Sequence, residues 1–187
     1  QQGIVSGAAP LHLLRGEAGM GKSRLIREVA ARAAAAGHSV AVARCYAGPG
    51  RIALSPVAEW LGSAPMRASR AQLDPEWRAE VDRLLPCDAS DRASSRPSPM
   101  IDAWQRHHFF EGLARALLQS ERPTLLVLDD LQWCDAETLA WLPMFFGFAD
   151  GYPIQLLAGV RDEQVADHRQ LADTLRDLRA SGRSVET

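Results

Sequence analysis

Lysine is nearly missing from this sequence: of its 21 Lys and Arg residues, Lys22 alone is not an arginine. Where a site needs only positive charge, arginine serves; where it needs a compact, rotatable ammonium, arginine does not. Cysteine is scarce as well. Cys45, Cys87 and Cys134 are odd in number, far apart and form no CxxC pair. That argues against a disulfide framework or a zinc site and fits free thiols in a reducing cytosol. No apolar run nears the roughly 18 residues that mark a membrane span. The N-terminus also lacks the charged segment and apolar stretch of a signal peptide. Neither sign of charge is in excess: the formal net charge is −2 and the arginines are scattered. There is thus no basic stripe for nucleic acid and no charged tail. Internal repeats are absent too. A soluble, cytoplasmic globular protein with no membrane partner is the expectation.

The composition that remains is ordinary. The chain has 187 residues, 47% hydrophobic and 24% charged, enough for one sizeable core. Its wealth of Ala and Arg points to a GC-rich bacterial genome. Residues 1–9 read as a tail or turn, and 10–15 as a short strand. Residues 22–36 carry Leu25, Ile26, Val29, Ala30 and Ala33 at helical spacing, with Gly37 where a C-terminal cap belongs. Residues 39–44 read as a second strand. Helices are expected over 55–61 and 75–85, then a polar surface loop over 88–99. A stronger helix spans 101–119. Residues 124–130 form a continuous apolar run that ends in two acids, the pattern of a strand buried on both faces. A helix over 136–146, a strand over 154–160 and a helix over 164–179 follow. This alternation predicts an α/β fold of three layers, α/β/α, with a mostly parallel sheet and right-handed crossovers.

The solitary lysine lies in Gly16-Glu17-Ala18-Gly19-Met20-Gly21-Lys22-Ser23, which satisfies the phosphate-loop pattern G-x-x-x-x-G-K-[ST]. Glycines let the backbone curl so that successive N–H groups point at phosphate oxygens. The helix starting near Lys22 adds the positive end of its dipole. The cradle for ATP or ADP is expected to run from Gly16 to Arg24, with Lys22 at the β- and γ-phosphates and Ser23 on Mg2+. Asp129 and Asp130 end the apolar strand, and in a parallel sheet strand C-termini line the ligand crevice. Asp129 is expected to hold Mg2+ and Asp130 to polarise the attacking water. Arg161, ending the next strand, is expected to stabilise charge on the transferred phosphoryl group, although pairing with Asp162 or Glu163 also fits. His107, His108, Trp133 and Cys134 read as ordinary packing residues. Trp60, Trp77, Trp104 and Trp141 read as core.

The stretches "LLRGEAGMGKSRLIREVAARAAAAGHSVAVARC" and "RPTLLVLDDLQWCDAETLAWLPM" resemble the STAND class of P-loop ATPases. More narrowly, they are similar to the AAA-type ATPase domain of large ATP-dependent LuxR-type bacterial regulators and of some multidomain cyclases and kinases. "LQWCD" is close to that family's "LHWAD", and "LLAGVRDEQ" is similar to its sensor-1 strand ending in arginine, which supports Arg161. The resemblance implies a single P-loop NTPase core over 1–187, part of a larger protein. Residues 10–44 would be its Walker A half, 46–100 a variable region, and 101–180 the Walker B and sensor-1 half. The chain is expected to stop about where a fifth strand begins. The resemblance further implies Mg2+-dependent, slow ATP hydrolysis driving a signalling switch, nucleotide-dependent self-association, and DNA contact only through other domains. A nucleotide-binding module that does not hydrolyse, a P-loop phosphotransferase and a DNA-binding module are the alternatives.

Overall fold

The computed structural model describes residues 11–48, 52–85 and 102–187. The expected tail of 1–9, Pro10, Cys87, the polar loop of 88–99 and Ile101 at a helix start lie outside the described residues. Five strands, β1 (Leu11–Gly16), β2 (Ser39–Arg44), β3 (Thr124–Asp129), β4 (Ile154–Arg161) and β5 (Ser184–Glu186), form one sheet in the order β2-β3-β4-β1-β5. Every neighbouring pair is parallel. A fifth strand is therefore within the chain, which corrects the expectation that the chain stops where it begins. Only three residues long, β5 has no apolar run to announce it. It forms because Arg183 O and Thr187 N bond the backbone of β1 at Leu11 and Leu13.

The first helix, α1 (Lys22–Ala35), ends at Gly37, whose φ of 89° fits a residue without Cβ. Next come α2 (Ser55–Gly62), α3 (Ala64–Arg70) and α4 (Pro75–Leu84). The sequence pattern missed α3, which is short and separated from α2 only by the extended residue Ser63. The strong central helix is α5 (Ala103–Leu118), and α6 (Ala136–Phe148) continues through Pro143. The single helix expected over 164–179 is two: α7 (Asp162–Val165) and α8 (Arg169–Ala180). His168 Nδ1 accepts the Leu171 N–H at 3.2 Å and so starts α8 afresh. That turn lets Leu171, Leu175 and Leu178 reach the core.

The two sheet faces are covered unequally. One face, carrying Leu126, Leu128, Leu156, Ala158 and Val160, packs against α2–α6 and α8. Trp60 and Trp141 are wholly buried there, and their indole N–H groups donate to the carbonyls of Val127 (2.9 Å) and Phe110 (3.0 Å). Such a partner is what a buried indole requires. On the other face, Leu125, Val127 and Leu157 meet Ile26 and Ala30 of α1. Trp104 departs from expectation: it is 70% exposed and stacks on His108 with ring centroids 5.3 Å apart. It lies in the first turn of α5, where the helical spacing continues beyond the part that the core covers.

Candidate functional site

Strand order and register decide what meets at the C-terminal edge of the sheet. β4 lies between β1 and β3, so Gly16 is level with Arg161, while Arg44 on β2 is level with Asp129. The Gly-rich loop, the acidic strand end and Arg161 thus share one edge.

The loop is closed on itself. Lys22 Nζ donates to the carbonyl oxygens of Gly16 (2.7 Å) and Glu17 (2.6 Å), and the Glu17 N–H donates to Met20 Sδ at 3.3 Å. Gly19 and Gly21 hold left-handed φ values of 83° and 86°, which any side chain would strain. Gly21 is the residue from which α1 starts. Glu17, Ala18, Met20 and Arg24 are exposed around the loop, whereas Gly16, Lys22 and Ser23 are half-buried. At the loop's entry, Arg15 Nε donates to Asp162 Oδ1 at 2.6 Å and its guanidinium pairs with Glu186. Asp162 is thus engaged by Arg15, and Arg161 turns elsewhere.

Asp129 Oδ1 accepts the Asp130 N–H at 3.0 Å. Its room comes from Gly159 on β4: a Cβ there would lie 2.7 Å from Ile26 Cδ1 and 3.1 Å from Asp129 Oδ1. Gly159 thereby brings α1 and the acidic strand end into close approach. A lone glycine inside a strand pattern is a signal for such an approach. We expect Gly159→Ala to destabilise the domain by about 1–3 kcal/mol through overpacking, seen as a lower denaturant midpoint in equilibrium unfolding. An unchanged midpoint would show that Ile26 yields freely.

Asp130 has left the strand. Its φ of 59° and ψ of 45° place it in the left-handed region, which Asp tolerates better than most side chains. This bend opens a 3-10 turn, Leu131–Trp133, and directs the carboxylate into a ring of donors. Oδ2 receives Arg44 Nε (3.1 Å) and Nη2 (2.8 Å); Oδ1 receives Gln132 Nε2 (2.9 Å) and Arg161 Nη2 (3.4 Å). Burial alone raises the carboxyl pKa, but the hydrogen bonds from Arg44 and Gln132, with the charges of Arg44 and Arg161, outweigh it. The net pKa is lowered from 3.8. The carboxylate is a firmly ionised acceptor.

Sequence reasoning misses two members of this cluster, Arg44 and Gln132, and the buried Asp135 that follows them. Arg44 was only the end of a strand, and its role needs the β2–β3 pairing. Its own backbone N–H is held by Glu59 Oε2 at 3.1 Å. Gln132 is 2% exposed and its Oε1 accepts the Arg161 N–H at 3.1 Å. Asp135 is buried: Oδ1 accepts the N–H groups of Leu54 (2.9 Å) and Thr138 (2.8 Å), and Oδ2 accepts the Thr138 hydroxyl (2.7 Å). It caps α6 and anchors Leu54, itself left-handed at φ 59°, at the start of α2. Polar residues behind a doubled acid were the available signal. Cys134 is buried, and its thiol pKa is pushed well up by a hydrogen bond shared with Cys45 and by burial, so it packs rather than reacts.

The donor set suits a hard divalent cation, because Ser23 and Asp129 offer a hydroxyl and a carboxylate and no sulfur or imidazole. Among the described residues no group of three or more His, Cys, Asp or Glu side chains could hold a metal. No described helix is long and apolar enough to cross a membrane.

A family model described as AAA ATPase domain matches residues 2–157. No curated protein matches the chain. Among solved structures, one similar to it is Drosophila ORC bound to AT-rich DNA and Cdc6, at 13% identity and a TM-score of 0.44. That likeness covers 94% of this chain and 47% of the other. A second is EccC (ATPases 2 and 3) of Thermomonospora curvata in complex with a signal sequence peptide, at 16% identity and a TM-score of 0.41. It covers 91% of this chain and 28% of the other, so the chain spans less than half the length of either.

Proposed function

Because the chain belongs to the AAA ATPase domain family, we propose that it binds ATP with Mg2+, hydrolyses it slowly, and serves as the switch domain of a larger bacterial regulator. The observation that carries this reading is the shared sheet edge, where the Gly16–Ser23 loop, Asp129, Asp130 and Arg161 converge. Mg2+ would neutralise charge on the phosphates. The loop N–H groups and the N-terminus of α1 would orient the phosphate chain. Lys22 would exchange its two carbonyl partners for phosphate oxygens. Ser23 and Asp129 would hold the cation. Asp130, being ionised and rich in donors, would orient a water by accepting from it, and Arg161 would meet charge that develops at the phosphoryl group.

A switch requires nucleotide to prefer one conformation over another. Self-association in the ATP state, and DNA contact through other domains of a LuxR-type regulator, complete the reading. The resemblance of "LQWCD" and "LLAGVRDEQ" supports it. A second reading, a module that binds nucleotide without hydrolysing it, draws on the engagement of Asp130 by both Arg44 and Arg161.

Calorimetric titration of ATP and ADP, with and without Mg2+, together with phosphate release tests both. We expect Mg2+ to tighten ATP binding, and Ser23→Ala to remove about tenfold of that gain, ~1.4 kcal/mol, while sparing Mg2+-free ADP. Failure of the wild type to bind either nucleotide would overturn the proposal. Binding with no phosphate release would favour the second reading.

A further inference from the structure

We infer that Gln132 is a positioning residue, a buried amide that sets the Asp130 carboxylate in register with the end of β4. Its two ends do different work. Nε2 donates to Asp130 Oδ1 at 2.9 Å, and Oε1 accepts the Arg161 main-chain N–H at 3.1 Å. Only this orientation matches donor to acceptor at both contacts, because a reversed amide would face oxygen with oxygen and N–H with N–H. At 2% exposure the side chain has no water to replace either partner, and an unmet buried amide costs more than a made bond contributes.

The geometry explains why a clip is needed. Asp130 is displaced from β3 by its left-handed backbone, so the strand ladder does not fix its carboxylate. Arg44, the strongest donor to it, has a half-exposed side chain, and Arg161 reaches it only at 3.4 Å. Gln132 is the buried, short and rotamer-limited donor among the three. It also ties the acid to the backbone of β4, the strand that lies level with the Gly-rich loop. The charged groups around the carboxylate are Arg44 from β2, Arg161 from β4 and the adjacent Asp129; the amide adds direction without adding charge.

This inference rests on the reading of Asp130 as the water-orienting acid, and it is tested in the full chain with two variants. Gln132→Leu removes both contacts while filling the volume. We expect kcat for ATP to fall about tenfold or more, with KM and nucleotide affinity within about twofold of wild type. Gln132→Glu keeps an acceptor for the Arg161 N–H but confronts Asp130 with a second carboxylate. Its kcat should be low at pH 8 and recover as pH falls, because the introduced carboxyl, once protonated, donates as the amide does. A Gln132→Leu protein with wild-type kcat, or one that loses kcat and affinity together, would overturn the inference, as would a Gln132→Glu pH profile parallel to wild type. A wild type without turnover refutes the hydrolytic reading instead. The positioning claim is then judged by hydrogen exchange at the Arg161 main-chain N–H and by the 13C shift of the Asp130 carboxyl at one fixed pH. Gln132→Leu should speed the exchange and move the shift, and two unchanged readings refute the claim.

Discussion

Asp130→Asn is expected to reduce ATP turnover by about 10²- to 10⁴-fold, the range over which a positioned acid or base contributes. ATP affinity should change little. The isosteric amide keeps the size of the side chain but loses the charge that Arg44 and Arg161 meet. It also turns an N–H toward donors, toward Arg44 in one orientation and toward Gln132 and Arg161 in the other. Asp130 is buried and its carboxylate is favoured by Arg44, Gln132 and Arg161, so the lost ion pairs and the mismatched donor should also lower the melting temperature. Turnover is therefore compared at a temperature where both proteins are folded. Steady-state phosphate release, paired with calorimetric ATP binding and a melting curve, separates these outcomes. A variant that hydrolyses at the wild-type rate would remove Asp130 from the chemistry.

Lys22→Ala is expected to weaken ATP binding by about 10- to 100-fold. A hydrogen bond to a charged group contributes ~1.5–3 kcal/mol, and lysine offers three donors that can be shared between phosphate oxygens. Folding should be almost indifferent. The ammonium bonds only the Gly16 and Glu17 carbonyls in a loop open to solvent, and water can serve those oxygens. Lys22→Arg should not restore affinity, because a planar guanidinium cannot sit where a point charge turns among backbone N–H groups. Titration of a fluorescent ATP analogue against the three proteins measures this directly. Equal affinities would refute the placement of the phosphates at this loop.

The parallel sheet was legible because its central strands are buried on both faces and so read as unbroken apolar runs, with 124–129 as the clearest case. The loop and the paired acids were legible from residue type and spacing. What pairs with Asp130 was not. Arg44 lies 86 residues before it and Arg161 31 after, and only the strand order brings these ends together. The split of 164–179 into two helices escaped because periodicity persists across 166–168 while the His168 cap interrupts it. Trp104 was misplaced for a related reason: helical spacing identifies a face but not how far along the helix the core extends.

The unequal dressing of the sheet has a consequence for cooperativity. Among the described residues, the buried cluster on one face draws its helical side chains, Ile26 and Ala30, from α1, and α1 is also the helix that begins at the Gly-rich loop. A single element thus serves as both the floor of the candidate nucleotide site and the cover of one sheet face. If α1 frays, Leu125, Val127 and Leu157 are opened to water in the same event. Any ligand held at its first turn is then linked by mass action to the protection of strands that it never touches.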